Sequence, residues 1–339
     1  MEILIGLLII AVGSFGQSSS YVPINKVRAW SWESFWLTQG LFAWLVFPLC
    51  GALLALPGGG VSLGTLLGAG GALPTVVYGA LWGVGGLTFG LSMRYLGVAL
   101  GQSISLGTCA GLGTLLPALF GGEDLLSGDG LTLLIGVMIT LAGIAVIGYA
   151  GSLRARNLSE EQRRAAIRDF ALGKGLLVAV LAGVMSACFA LGIDAGAPIR
   201  QAALDAGTDP LFAGLPVILL VTLGGFATNA VYCLWQNARN RTFGDYAKTG
   251  VLARNILFCA LAGGLWYTQF FGLETGKSFL GGNPVLLAFS WSILMSLNVI
   301  FSNVWGIVLR EWRGVTRRTA AVLVAGLALL IFSLIYPNL

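Results

Sequence analysis

Apolar runs of about 20 residues follow one another along the whole chain, separated by short polar or Gly/Pro-rich stretches. The pattern predicts ten helical spans, at residues 3–20, 33–56, 72–95, 97–121, 130–150, 173–195, 210–237, 253–273, 284–309 and 319–337. Only Arg94-Tyr95-Leu96-Gly97 divides the third from the fourth. The fold class expected is an all-α polytopic membrane protein.

Charge placement adds a topology. With the N-terminus outside, 17 of the 19 Lys and Arg residues fall in inner loops, and only Arg200 and Lys277 are left outside. The 14 acidic residues show no such bias. Lys and Arg set membrane orientation while Asp and Glu contribute little, so both termini are expected outside a bacterial-type inner membrane. The first span has Glu2 ahead of it and no basic residue, which fits a retained helix better than a cleaved leader.

Composition narrows the function classes. Hydrophobic residues make up 57% and charged residues 10%, a balance that needs a lipid bilayer as partner rather than water. The net charge of +5 sits in topology anchors and gives no reason to expect nucleic acid. There are no histidines, and the five cysteines are scattered through apolar spans, so neither a metal site nor a cofactor is expected. No GxSxG, HExxH or P-loop pattern occurs, so the chain does not read as an enzyme. Gly79, Gly83, Gly86 and Gly90 form one helical stripe, and Gly97/Gly101 and Gly107/Gly111 repeat the spacing; small residues let helix backbones approach in lipid.

Ten spans divide as five plus five, which would invert the second half relative to the first. Leu81-Trp82 is echoed by Leu265-Trp266, Ala142-Gly143 by Ala325-Gly326, and Gly6-Leu7-Leu8 by Gly175-Leu176-Leu177. The expected organisation is therefore a 5+5 inverted repeat: a first repeat at 1–151, a cytoplasmic linker at 152–172 and a second repeat at 173–339. Inverted repeats are the architecture of alternating-access carriers.

Polar residues inside spans mark the candidate pathway, because lipid penalises them. They are Ser14, Gln17, Ser18 and Tyr21 on the first span; Thr222, Asn229 and Gln236 on the seventh; Trp266, Tyr267 and Gln269 on the eighth; and Trp291, Asn298 and Ser302 on the ninth. Amides bond hydroxyls and indole faces pack on C–H surfaces, so a neutral polyol suits this set. An anion would want Lys or Arg at mid-depth. A non-transporting sensor or assembly subunit is the competing class.

The block Asn25-Lys26-Val27-Arg28-Ala29-Trp30-Ser31-Trp32-Glu33 resembles the signature of the L-rhamnose–proton symporter family of the drug/metabolite transporter superfamily. So do Leu81-Trp82-Gly83-Val84-Gly85 with Gly90-Leu91-Ser92-Met93-Arg94-Tyr95-Leu96-Gly97, Asp209-Pro210-Leu211 with Leu215-Pro216, Gly263-Gly264-Leu265-Trp266-Tyr267 with Gln269-Phe270-Phe271, and Gly306-Ile307-Val308-Leu309-Arg310-Glu311-Trp312. The resemblance covers almost the whole chain. It implies ten helices, a 5+5 inverted repeat, and proton-coupled uptake of a deoxy sugar, most simply L-rhamnose. The chain departs from the family at Gly86, Leu87 and Thr88, where family members carry Asn between paired glycines, and at Glu274. Those departures leave the sugar open.

The candidate sugar contacts are Gln17, Tyr21, Trp82, Thr88, Asn229, Trp266, Gln269, Trp291 and Asn298. The candidate proton-coupling carboxylates are Asp194 and Glu274, since an acid in a low-dielectric site can load and release a proton. Structural readings stand beside them: Asp194 pairing Arg200, and Glu274 pairing Lys277 at i+3. Glu33 reads as a helix N-terminal charge. Na+ coupling, another sugar or metabolite, and export remain open, as does the oligomeric state.

Overall fold

The computed structural model describes residues 1–57, 62–96, 98–156 and 172–338. Of the predicted linker, residues 157–171 lie outside the described residues, as does Gly97 of the glycine pairs.

The ten expected spans are present as helices long and apolar enough to cross a membrane. They are α1 Glu2–Ser19, α2 Trp32–Leu54, α3 Ala72–Leu96, α4 Val98–Phe120, α5 Gly128–Arg156, α6 Leu172–Ala195, α7 Leu215–Asn240, α8 Thr249–Lys277, α9 Pro284–Val308 and α10 Arg317–Ile335. No strand occurs among the described residues. The chain is a multi-pass membrane protein.

Differences from the sequence reading lie at the ends. The seventh helix starts five residues late. Asp209-Pro210 makes a turn instead, in which the Leu211 N–H donates to Asp209 Oδ1 at 2.9 Å, and Pro216 sits in the first helical turn, where its missing N–H is harmless. A short helix, Ala197–Asp205, follows α6 after Gly196 and was not foreseen. Helix α2 is not uniform: Phe42–Val46 is a π turn, in which the Phe47 N–H reaches back to the Phe42 carbonyl. Pro48 explains it. Proline offers no N–H to the carbonyl one turn earlier and its ring crowds that carbonyl, so the helix widens.

The chain separates into two compact units that do not follow its halves. Unit 1 is Met1–Gly83 with Gly192–Phe279, and unit 2 is Val84–Leu191 with Leu280–Leu339. Each unit therefore takes helices from both expected repeats, and α3 and α6 run from one unit into the other.

In unit 1, α1 lies along α8. Thr268 Oγ1 donates to the Gly13 carbonyl at 2.8 Å, and a Cβ on Gly13 would come 3.2 Å from Gly272 Cα. Helices α3 and α7 cross as closely. Gly79 and Gly83 lie on the α7 backbone at Val221 and Gly225, and Thr228 Oγ1 donates to the Ala80 carbonyl at 3.0 Å. These contacts are the close packing that small residues permit in lipid. The remaining glycines of the α3 stripe, Gly86 and Gly90, meet nothing within 4 Å of a built Cβ, so packing explains only half of it.

In unit 2, α5 packs on α10 through Gly143 and Gly326, with a Cβ on Gly326 3.2 Å from the Gly143 carbonyl oxygen. Helix α9 is tied to α4: Thr114 Oγ1 and Ser292 Oγ share a hydrogen bond of 2.7 Å, and Trp291 Nε1 donates to the Cys109 carbonyl at 3.3 Å. Ser105 Oγ donates to the Ala179 carbonyl of α6 at 3.0 Å.

Candidate functional site

Unit 1 holds two polar or aromatic assemblies of opposite character. The first is at the joint between α1 and α2. Here the segment that follows α1 docks on the α7–α8 connection. The Arg28 backbone is captured at both edges by Asn255, whose Oδ1 accepts from the Arg28 N–H at 3.2 Å and whose Nδ2 donates to the Arg28 carbonyl at 2.8 Å. Asp245, buried at 5% exposure, accepts from the Ser31 N–H and the Ser31 hydroxyl, each at 2.7 Å. Lys248 Nζ bonds Asp245 and the Ala29 carbonyl, both at 2.6 Å. Ala29 needs that support, for its φ of 58° is strained for a residue with a side chain.

Glu33 is also buried there. Its Oε1 accepts from Asn240 Nδ2 at 3.0 Å and from Thr242 Oγ1 at 2.8 Å. It stands in the first turn of α2, where the helix dipole favours an anion, as expected. Ser34, Asn237 and Tyr246 complete the network: Ser34 Oγ donates to Asn237 Oδ1 at 2.9 Å, and Tyr246 OH to the Ser34 carbonyl at 3.2 Å. Burial works to raise the Asp245 pKa, but the Lys248 ammonium and the Ser31 donors outweigh it and hold the group at about 2. This assembly is a clasp. Its groups are consumed in joining two loops.

The second assembly is a box of indoles further along α2. Trp44, carried by the π turn, meets Trp82 of α3 and Trp266 of α8 edge-on, with ring centroids 5.8 and 6.0 Å away. Trp82 and Trp266 lie 5.8 Å apart with their planes 32° from parallel. Trp36 contacts Trp44 at 5.5 Å, and its Nε1 donates to Asn229 Oδ1 at 2.9 Å. Asn229 in turn donates to the Gly83 and Gly225 carbonyls. Two glycines make room for the rings: Gly225 lies against the Trp82 ring, and Gly40 against that of Trp44. Trp82 and Trp266 are half-buried; Trp44 is buried at 4% exposure and forms the floor. Its Nε1 has no hydrogen-bond partner, and neither has the buried Gln39 Oε1.

The sequence-predicted residues fall into groups. Trp82, Asn229 and Trp266 meet in the box. Gln269, buried on the same helix as Trp266, donates back to the Trp266 carbonyl at 3.1 Å. Gln17 is half-buried near the end of α1, where its Oε1 accepts from Ser18 at 3.2 Å, and Tyr21 is exposed beyond it. In unit 2, Thr88 is bonded to its own helix through the Val84 and Gly85 carbonyls. Trp291 is a packing residue at 6% exposure, stacked on Phe189 at 5.8 Å. Asn298 is half-buried on α9.

The two candidate carboxylates differ. Asp194 is exposed at the end of α6. Glu274 is buried at 4%, lies against Gly214, and pairs with Lys277 at 2.8 Å. Sequence reasoning passed over Trp36 and Trp44, which belong to the box. The signal available was Pro48, which marks α2 as irregular at Trp44. Unit 2 also has a groove of about 610 Å³ between α4, α5 and α6, lined by Leu100, Gly107, Gly111, Leu141, Tyr149 and Val184 among others; it is apolar and holds none of the predicted site residues.

The family described as L-rhamnose-proton symport protein matches residues 1–336. The chain belongs to this family. Among similar proteins are the L-rhamnose-proton symporters of Yersinia pestis (strain Pestoides F) and Yersinia pseudotuberculosis serotype O:1b (strain IP 31758). Each is 35% identical over 343 aligned positions, which cover 98% of this chain and 96% of the relative. In this family member the segment Lys26 to Glu33, the block most specific to the resemblance, is the clasp, while Leu81-Trp82 and Leu265-Trp266 supply the box.

Proposed function

We propose that this chain is a secondary active carrier that imports a neutral deoxy sugar, L-rhamnose, in symport with a proton by alternating access. The observation that carries the reading is the family match along residues 1–336, joined by relatives named L-rhamnose-proton symporters that the chain covers over 96% of their length. The indole box supports it from the residues upward. Aromatic faces pack on sugar C–H surfaces, and amides bond hydroxyls. Trp82, Asn229 and Trp266 form the centre of the proposed sugar site. Gln17, Tyr21 and Gln269 are its outer candidates within unit 1; Thr88, Trp291 and Asn298 are candidate sugar contacts of unit 2, considered by themselves.

Of the two carboxylates, Glu274 is the proposed proton carrier. It is out of water and held by one ammonium, so protonation would free Lys277 and loosen the α8 end against Gly214. Asp194 is exposed and has less to gain from its surroundings. A 5+5 inverted repeat within the drug/metabolite transporter superfamily, with repeats at 1–151 and 173–339, is the proposed architecture. Two echoes support it: Trp82 meets Trp266, and Gly143 meets Gly326. Mates on a two-fold axis are expected to touch at equivalent residues. The Lys and Arg distribution supports termini outside the inner membrane.

The test is uptake of labelled L-rhamnose into proteoliposomes, with and without an inward proton gradient. Gradient-dependent accumulation is expected, and Glu274→Gln should abolish accumulation while leaving gradient-independent exchange. No uptake under either condition by folded protein would remove the rhamnose assignment. Uptake that ignores the proton gradient and follows an Na+ gradient would change the coupling ion.

A further inference from the structure

In unit 2, Gly107 and Gly111 of α4 face α5 without a close crossing. A Cβ on Gly107 would lie 3.5 Å from Leu141 Cδ2, and one on Gly111 3.6 Å from Leu141 Cδ1, so alanines would fit at both. Close helix packing therefore does not account for this pair as it does for Gly79 and Gly83. The two glycines instead line the groove of about 610 Å³ between α4, α5 and α6. They are buried and form its floor, while Leu100, Ala145, Tyr149 and Val180 on its sides are exposed.

The groove has a direction. Gly107 lies nearest Leu141 and Ile144, and Gly111 nearest Leu141 and Val137, so α4 and α5 run antiparallel. Ser105 bonds the Ala179 carbonyl and Thr108 lies against Gly183, so α6 runs parallel to α4. Three of the four hydroxyl side chains in the lining, Ser103, Tyr149 and Ser152, therefore gather where α5 ends and α6 begins. Leu112, Leu115 and Leu141 line the opposite end. Lys174 stands beyond the hydroxyl end, six residues before Val180 on α6, or about 9 Å along the axis. It is exposed, its Nζ lies 4.9 Å from the centre of the Tyr95 ring, and among the described residues no carboxylate pairs with it. Arg154, by contrast, is held by Glu311 at 3.3 Å.

We propose that this groove binds one anionic phospholipid of the bilayer, with an acyl chain along Gly107 and Gly111 and the phosphate at Lys174. The apolar trough suits hydrocarbon and offers a polyol few partners. The hydroxyls of Ser103, Tyr149 and Ser152 suit the glycerol and ester oxygens, which accept hydrogen bonds. A tyrosine with one apolar side and one polar tip belongs at that level of a membrane. The depth also fits. The polar layer of one leaflet is about 5–8 Å thick, so a lysine about 9 Å beyond Val180 stands at phosphate height, and its flexible stem reaches outward from there. An ammonium at that place attracts a headgroup of net negative charge over a zwitterionic one. The inference is independent of the carrier reading.

The test is native mass spectrometry of the purified full-length protein in detergent, titrated with dioleoyl phosphatidylglycerol or dioleoyl phosphatidylcholine. The wild type should take up one lipid in a saturable step ahead of all others. Phosphatidylglycerol should bind roughly five-fold tighter than phosphatidylcholine, the worth of one lysine at a membrane surface. Gly107→Leu combined with Gly111→Leu fills the floor and should remove that step for both lipids. Ala145→Phe narrows the groove from its exposed rim and should weaken both roughly ten-fold; it decides if the double variant does not fold. Lys174→Gln should leave phosphatidylcholine unchanged and bring phosphatidylglycerol down to it. Leu257→Phe, on the exposed face of α8, should bind like the wild type. Uptake spread over many equal weak steps, or a first step that survives both groove variants, would mean annular lipid only and overturn the site. Equal affinity of the wild type for the two headgroups would overturn the anionic assignment. A lipid-free dimer that Ala145→Phe dissociates would give the groove to a second copy of the chain and overturn the proposal.

Discussion

The clasp and the indole box lie on the same helix, α2, and treat their polar groups in opposite ways. In the clasp, Asp245, Glu33, Asn255, Asn237 and Ser34 are all buried and all bonded to protein groups. In the box, Trp44 Nε1 is buried and bonded to none. Buried polar groups without partners are destabilising. The clasp joins the segment after α1 to α8 and to the connection before it, and the box is the proposed sugar site. Specificity of sequence is thus a poor guide to chemical role. The block that most clearly marks the family is spent on structure.

The strongest way to break the clasp is Asp245→Ala. It strips the Ser31 N–H, the Ser31 hydroxyl and Lys248 of one shared acceptor. Lys248 is half-exposed and can turn to water, so the loss is that of the Ser31 bonds and a weakened ion pair, about 2 kcal/mol. Thermal unfolding of the purified protein should show a clearly lowered midpoint. Trp44→Phe removes a donor that has no partner together with part of a packed ring, so it should lower the midpoint less than Asp245→Ala does. Equal destabilisation by the two would erase the distinction between the regions.

Acid acts on the same carboxylate less completely. Asp245 has its pKa lowered from 3.8 to about 2, so its contribution to stability is present above its unfolded value and is lost as the pH falls through the folded one. The wild-type midpoint should therefore drop between about pH 4 and pH 2, and Asp245→Asn should flatten that part of the profile. Thermal scans across this range, in a detergent that does not itself titrate, measure it. A profile identical in wild type and variant would mean that Asp245 is not the group that the clasp depends on.

Much of this was legible in sequence, for a physical reason. Lipid requires each backbone group to be satisfied within its own helix, so apolar length alone locates spans. All ten were found, with ends such as that of α7 displaced where Asp209-Pro210 turns the chain. Leu81-Trp82 and Leu265-Trp266 stood out in sequence as echoes of each other, and Asn229 as an amide in a span. What stayed hidden needs three dimensions. Trp44 looked like one more apolar residue, and only the π turn beside Pro48 aims it at Trp82 and Trp266. The glycine stripe on α3 looked uniform, yet Gly79 and Gly83 bear on α7 while Gly86 and Gly90 face open space. Periodicity reports a shared helix face and says nothing about what lies opposite it.

The smallest expected effect tests the comparison most finely. Trp30 belongs to the clasp, where its ring packs on Tyr246 at 5.4 Å, and its Nε1, like that of Trp44, is buried without a partner. Trp30→Phe keeps the ring contact and removes the N–H. Deleting an unpaired donor removes a cost, and the smaller ring of this half-buried residue gives up some packing, so the two offset and stability should move by no more than about 1 kcal/mol. L-rhamnose affinity should not move, because the ring partner of Trp30 is Tyr246 of the clasp. Two indoles with the same defect would then differ only in where they stand. If Trp30→Phe weakened sugar binding as much as Trp44→Phe, the unpaired N–H of Trp44 would owe nothing to its place in the box, and the line between a structural region and a binding region on α2 would have to be redrawn.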